Sequence, residues 1–288
     1  MLKEHHFREK VSWPDGCRIA VALTFDFQGG EDVRPLPGGK INHEEFTQAE
    51  YGPKTGIWRI LRILDEHGTP ATFLICGGIA ERYPEAVEAI VSKGHEVAGH
   101  GYHHEVARDL AREEEREVIR RATEMIRSTS GRRPVGWRSC TQSPNSLELL
   151  MEQGYLWNSN SFSYDFPFIW ESEGQKLVEL PRQPFGDGRT YGHRDSGNPH
   201  DTLVVWKALF DELYEESEGA PTFCPFQFHP YVSSRPGRAK ALAGLIQHMK
   251  SHEGVWFATG SEVARWCLER ALPVESVTRL SRSVAQAS

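Results

Sequence analysis

Residues 18–27 read Arg-Ile-Ala-Val-Ala-Leu-Thr-Phe-Asp-Phe, a nearly unbroken apolar run. A strand of this kind must be buried on both faces, which happens in parallel sheets flanked by helices. Shorter strand-like runs follow at 71–76, 96–98, 134–138, 155–159, 175–181, 222–229 and 255–258. Helical stretches separate them. Residues 57–66 are apolar at 57, 60, 61 and 64, with Gly68 behind as a stop. Residues 84–93 open on Pro84 and stop at Gly94, and 111–129 end at Gly131. Further helices are expected from 146 to 153, from 201 to 216 with Asp201 as cap, from 238 to 252 and from 260 to 270. The alternation predicts an α/β fold with a mainly parallel sheet.

Four polar residues stand where apolar strands run out: Asp26, His100, Arg138 and His229. A carboxylate at the end of a buried strand is poorly solvated and needs a partner or a job. In a closed barrel the C-terminal strand ends share one mouth, whereas in an open doubly wound sheet they spread along an edge. Convergence of an acid, a guanidinium and imidazoles favours the barrel.

Residues 94–105 read Gly-His-Glu-Val-Ala-Gly-His-Gly-Tyr-His-His-Glu. His100 and His104 share one face if a helical turn begins at Gly101, and two such imidazoles can hold a divalent metal. Spacing alone is weak evidence. With 13 His in 288 residues, roughly one His-x3-His pair arises by chance, and the chain has a second at His248 and His252. That second pair lies in an amphipathic helix and reads as a solvated face. Glu113, Glu114 and Glu115 likewise read as a solvated helix N-terminus. His103, His193 and His200 read as solvent or loop residues.

The net charge of -7 argues against nucleic-acid or anionic-membrane partners. No stretch approaches the ~20 apolar residues of a spanning helix, and residues 1–10 are charged without a signal-peptide core. Five separated cysteines without a Cys-x-x-Cys pair fit a reducing compartment, so a cytoplasmic location is expected. One domain is expected over residues 13–272, with an extension at 1–12 and a frayed tail at 273–288. Residues 28–48 are rich in Gly, Pro and charge, as a functional loop would be. The aromatic loop 162–170 is a candidate interface or pocket wall.

The motifs carry a family likeness. Thr24-Phe25-Asp26, the 94–105 stretch, Gly136-Trp137-Arg138 and Phe228-His229-Pro230 resemble the successive motifs of the polysaccharide deacetylase (NodB-homology) superfamily. Residues 27–31, 143–145 and 229–236 resemble the branch that includes allantoinase and cyclic imide hydrolases. The likeness implies a distorted (β/α)7 barrel and a hydrolase of non-peptide carbon–nitrogen bonds. Its substrate would be a small cyclic amide, imide or ureide such as allantoin. An N-deacetylase of amino sugars or peptidoglycan fragments, and a non-catalytic binding barrel, are the other readings. By the same likeness Asp26 is the general base, Arg138 orients it, His229 is the general acid, and His100 and His104 are metal ligands. Glu31, Trp137, Asp165 and Phe166 are the candidate substrate contacts.

One position departs from the pattern. The family's third metal ligand is an aspartate one or two residues after the base, where this chain has Phe27 and Gln28. Glu31, Asp32 or Asp26 itself could substitute, so a Zn²⁺ centre and a metal-independent one are both open. The branch also implies a symmetric homo-oligomer, a dimer or tetramer.

Overall fold

The computed structural model describes residues 8, 11–191, 198–270 and 272–277. Its strands are β1 (Ile19–Phe27), β2 (Thr72–Ile75), β3 (Glu96–Gly99), β4 (Gly136–Trp137), β5 (Trp157–Asn158), β6 (Phe168–Ser172), β7 (Gln175–Glu179), β8 (Thr222–Phe228), β9 (Val255–Phe257) and β10 (Val274–Ser276). The longer helices are α1 (His43–Tyr51), α2 (Ile57–His67), α3 (Pro84–Ser92), α4 (Arg112–Ser130), α5 (Ser146–Glu152), α6 (Pro199–Glu216), α7 (Pro236–Lys250) and α8 (Gly260–Leu268).

The strands form one curved sheet in the order β10-β6-β7-β5-β4-β3-β2-β1-β8, with β9 beside the start of β1. Every pairing is parallel except β6–β7. Among the described residues no pairing joins β8 to the far end of the sheet, so the ring is a distorted barrel. The expected α/β architecture is the one observed.

β1 explains its own apolarity. Ile19, Val21, Leu23, Phe25 and Phe27 pack outward with α2, α3 and α7, in a cluster that includes Ile60, Leu64, Val87, Leu242 and Ile246. Ala20 and Ala22 point the other way, into a cluster with Trp13, Trp157, Phe166 and Phe223. Thr24 and Asp26 continue this inward row towards the mouth. The period of two thus places small residues inside and delivers one carboxylate at the top.

Local chemistry sets the ends of the helices. α2 stops at Gly68 and α4 at Gly131, both in the left-handed conformation. α6 starts earlier than the sequence suggests, because Asn198 rather than Asp201 is its cap. α1 occupies the second half of the expected 28–48 loop, capped by Asn42. A helix at Gly77–Arg82, not foreseen in the sequence, follows β2 directly. The tail expected to fray after Pro273 instead adds β10 to the sheet beside β6.

Two glycines permit close approaches that shape the barrel. A Cβ at Gly136 would overlap the indole of Trp157, which crosses the barrel interior. A Cβ at Gly56 would strike the carbonyl of Pro230, so that glycine lets the segment after His229 seat against the chain before α2. Overpacking at a rigid indole costs about 1–3 kcal/mol. Gly136→Ala should therefore lower stability by about that amount in urea unfolding. Gly219→Ala, where the added methyl meets only the carbonyl of Glu216 at ordinary contact distance, should change it by less than about 0.5 kcal/mol.

Candidate active site

Arg138, just past β4, reaches across the barrel interior to β1. Its Nη1 donates to Asp26 Oδ1 at 2.6 Å and to Thr24 Oγ1 at 3.0 Å. Its Nε donates to the Ser159 carbonyl at 3.0 Å and its Nη2 to Ser159 Oγ at 2.8 Å. The other oxygen of Asp26 accepts from Gln227 Nε2 at 2.5 Å. Asp26 and Arg138 are each about 1% exposed. Burial works to raise the Asp26 pKa, but Arg138, then His100 and His229, outweigh it and hold the carboxyl well below the usual range. Asp26 is a carboxylate at any working pH.

His100 leaves the end of β3, and its Nδ1–H donates to the Arg138 carbonyl at 2.6 Å. Burial lowers its pKa, so the ring is neutral and its Nε2 carries a lone pair. That lone pair needs a donor, and Gln28 supplies one. Gln28 Nε2 lies 3.3 Å from His100 Nε2 and 3.1 Å from His104 Nε2, one amide hydrogen for each ring. Burial, with His100 next, lowers the His104 pKa to about 3, so this ring too is neutral. The two imidazoles meet without the expected helical turn. His104 instead takes the left-handed conformation, φ 53°, in an irregular loop.

His229 ends β8 on the same mouth. Its Nδ1 pairs with Asp187 Oδ1 at 2.6 Å, and its backbone N–H donates to Asp187 Oδ2 at 2.7 Å. Asp187 is fully buried and also accepts from Ser233 Oγ. Burial alone would lower the His229 pKa, but the Asp187 carboxylate, helped by Asp26 and Asp32, raises it to about 9. His229 is therefore an imidazolium at neutral pH.

Asp26, Gln28, His100, His104 and His229 line one cavity of about 280 Å³, with Arg182 and Gln227. The five residues expected to do the chemistry are brought together: four on the cavity wall, Arg138 directly behind Asp26. The expected substrate contacts are not. Trp137 and Phe166 are buried in packing, Trp137 edge-on to Tyr155 and Phe166 against Trp13. Glu31 pairs with Arg82 and His103, and Asp165 accepts from Gln183. Of the aromatic loop, Phe162 is the residue on the cavity wall.

Sequence reasoning missed Asp187, Gln227 and Arg182. Gln227 had a signal, since it lies two residues before His229 and a strand repeats its facing every two. Asp187 and Arg182 lie in a polar loop with no periodicity to read. Glu115 was read as solvated, yet it is 3% exposed and accepts from Ser143 and Ser146 at 2.5 Å each. His103 and His200 are exposed as expected, while His193 falls outside the described residues.

The metal question turns on donors. Among the described residues no His, Cys, Asp or Glu completes a three-donor group with His100 and His104. Asp26 Oδ2 is 4.0 Å from His100 Nε2 and engaged by Gln227. Asp32 Oδ1 is buried without a partner, but does not join the two rings. Two neutral imidazoles and a neutral amide do not make the donor set of a hydrolytic divalent metal. A three-donor group does occur elsewhere. Asp211, His248 and His252 offer atoms within 4.8 Å of one another. The pair read as solvated is thus half-buried, with His248 on Asp211 at 2.6 Å and His252 against Phe210 and Tyr214.

A family model described as polysaccharide deacetylase matches residues 48–153. A solved structure from Mycobacterium smegmatis, described as a polysaccharide deacetylase, is 31% identical with a TM-score of 0.81, covering 91% of this chain and 96% of its own. The chain belongs to the polysaccharide deacetylase family. The structure of PuuE allantoinase is 28% identical with a TM-score of 0.81, covering 88% of this chain and 91% of its own. A peptidoglycan deacetylase of Helicobacter pylori is 26% identical, over 88% of this chain and 97% of that protein. The deacetylase-family protein described here is a hydrolase of carbon–nitrogen bonds other than peptide bonds. Among its described residues no helix is long and apolar enough to cross a membrane.

The Arg138–Asp26 pair gives a direct test. Removing one partner leaves the other charge buried and unpaired, which costs about 3–5 kcal/mol. Arg138→Gln should lose about that much in denaturant unfolding, and adding Asp26→Asn should restore part of it. Additive losses in the double variant would mean that the two side chains are not coupled.

Proposed function

We propose that this deacetylase-family protein hydrolyses a small cyclic amide, imide or ureide of the allantoin kind, without a metal at His100 and His104. The observation that carries the reading is Gln28. Its amide nitrogen lies between the two imidazoles, where the family's chemistry would call for a cation and an anionic ligand. The similarity to PuuE allantoinase supports the substrate class. So does the cavity of about 280 Å³, a small-molecule volume rather than a polymer groove.

In this reading a water molecule sits against Asp26 and attacks the carbonyl carbon. Its proton goes to the free lone pair of the Asp26 carboxylate, and the carbonyl electrons move onto oxygen. When the intermediate collapses, the C–N bond breaks and the nitrogen takes a proton from His229 Nε2. Asp187 holds His229 by Nδ1, leaving Nε2 for the cavity. Proton exchange with solvent then returns Asp26 to carboxylate and His229 to imidazolium. His100 and His104 do not donate to the substrate through Nε2, because both Nε2 atoms accept from Gln28. They hold Gln28, and with it the floor of the cavity.

The low pKa of Asp26 limits the substrates. A carboxylate stabilised by Arg138 and Gln227 is a weak base, and a weak base suits carbonyls already activated by a second acyl or carbamoyl group. An unactivated acetamide would need stronger polarisation.

Hydantoin- and succinimide-type rings should be hydrolysed, with rates unchanged by a chelator, while N-acetylglucosamine oligomers should not. Chelator-sensitive release of acetate from the oligomers, with the rings untouched, would replace this reading by a metal-dependent N-deacetylase. Asp26→Asn should lower kcat/KM by about 10²–10⁴-fold.

The pH profile follows from His229. Its acid form is present below about 9 and lost above it, so kcat/KM should fall on the alkaline side with a midpoint near about 9. Asp187→Asn removes the main cause of the raised pKa and should move that midpoint towards neutrality. An alkaline limb that stays in place in Asp187→Asn would assign it to another group.

A further inference from the structure

Arg182 follows β7 by three residues, and its backbone N–H donates to the Ser161 carbonyl at 2.8 Å. Its guanidinium lies on the cavity wall, 4.5 Å over the Phe162 ring. One edge is used, weakly: Nη1 donates to Gln227 Oε1 at 3.4 Å. Nε is buried and has no hydrogen-bond partner. Among the described residues Arg182 makes no ion pair with a carboxylate. A half-buried guanidinium with a second one nearby normally has one. Burial, followed by the nearby Arg138, brings its pKa down to about 10, as expected for a cation whose charge is under-compensated.

The described residues around it do not supply a paired anion. Among the described residues the one carboxylate on the cavity wall is Asp26, committed to Arg138 and Gln227. Arg189, on the same wall, has no ion pair either among the described residues. Nη2 has no partner among the described residues and is not closed off as Nε is, so the outer Nη1–Nη2 fork is the edge that can receive a planar carboxylate, and Phe162 lies under the guanidinium plane.

We infer that Arg182 is the anchor for a carboxylate carried by the substrate, so that the compound hydrolysed is a small cyclic amide, imide or ureide bearing an acidic side group. The inference rests on the hydrolase reading above and adds the charge of the substrate to it. Gln227 then connects the two events. Its oxygen faces Arg182 and its nitrogen faces Asp26, so an anion docked on Arg182 sits one amide away from the base.

Binding and turnover test this separately. Titration of the full-length protein with succinate and with its neutral isostere succinamide reads the subsite without any reaction. Succinate should bind and succinamide should not, and Arg182→Gln should abolish the difference. Equal binding of the two by the native protein, or an undiminished preference in Arg182→Gln, would overturn the assignment.

For turnover, hydantoin is compared with hydantoin-5-acetate. Arg182→Gln should raise KM for the acid by about 10- to 100-fold, the loss of a charge-assisted hydrogen bond, with little change in kcat. The KM for hydantoin, which has no carboxylate to dock, should rise far less than that for the acid. Arg182→Lys, which keeps the charge and loses the fork, should fall between; unfolding curves of both variants check that the fold is kept. A fall in kcat for both rings would make Arg182 a stabiliser of the reacting oxygen instead, and sink the anchor. If the native protein hydrolyses neither ring, the functional reading fails, and the succinate titration alone decides whether the anion subsite exists.

Discussion

The Arg138–Asp26 pair is the contact on which the mouth of this barrel depends. Two opposite charges, each about 1% exposed, are tolerated only because the guanidinium spends every nitrogen: on Asp26, on Thr24 and twice on Ser159. Those bonds tie β4, β1 and the residue after β5 across the barrel interior. The backbone of the same residue holds His100, whose Nδ1–H donates to the Arg138 carbonyl. One residue thereby fixes the ionisation of the base and the tautomer of the neighbouring imidazole.

The three histidines show how neighbours divide one residue type into two roles. His100 and His104 are buried beside each other with an amide between them, and burial keeps them neutral. His229 is also largely buried, its side chain 12% exposed, but has Asp187 on its Nδ1, and that carboxylate keeps it charged. The difference lies less in burial than in what stands on the far nitrogen: a carbonyl for His100, a carboxylate for His229. An acid and a pair of uncharged positioning rings result within one cavity.

The sequence made some of this legible and hid the rest, for physical reasons. Asp26, His100, Arg138 and His229 were readable because each ends an apolar strand, and polarity stands out against a two-sided apolar background. The Gly-rich surroundings of His100 marked the pair that lines the cavity, while His248 and His252 lie away from it beside Asp211. Asp187 and Arg182 lie in the connection after β7, where polar residues are ordinary and no period assigns a direction. Phe166 and Trp137 misled for the opposite reason. Aromatic residues near a mouth resemble a binding platform, but Phe166 fills space beside the Ala-rich inner row of β1, and Trp137 packs over Gly99 against Tyr155. Glu115 was hidden by its neighbours: two exposed glutamates precede it, and the helical turn alone decides which of the three faces inward.

Charge accounting over the cavity connects Gln28 to Arg182. In this family's pattern a carboxylate stands at the position of Gln28 or beside it, and its charge favours a cation between the imidazoles. Here that position is neutral, while Asp26 is matched by Arg138 and the imidazolium of His229 by Asp187. What remains on the wall is the positive charge of Arg182 and Arg189. A cavity with that balance raises the energy of a divalent cation at the imidazoles and lowers that of an anion beside them. On the proposed reading, the neutral amide of Gln28 and the guanidinium of Arg182 act in one electrostatic direction, against a metal at the imidazoles and towards an acid beside them.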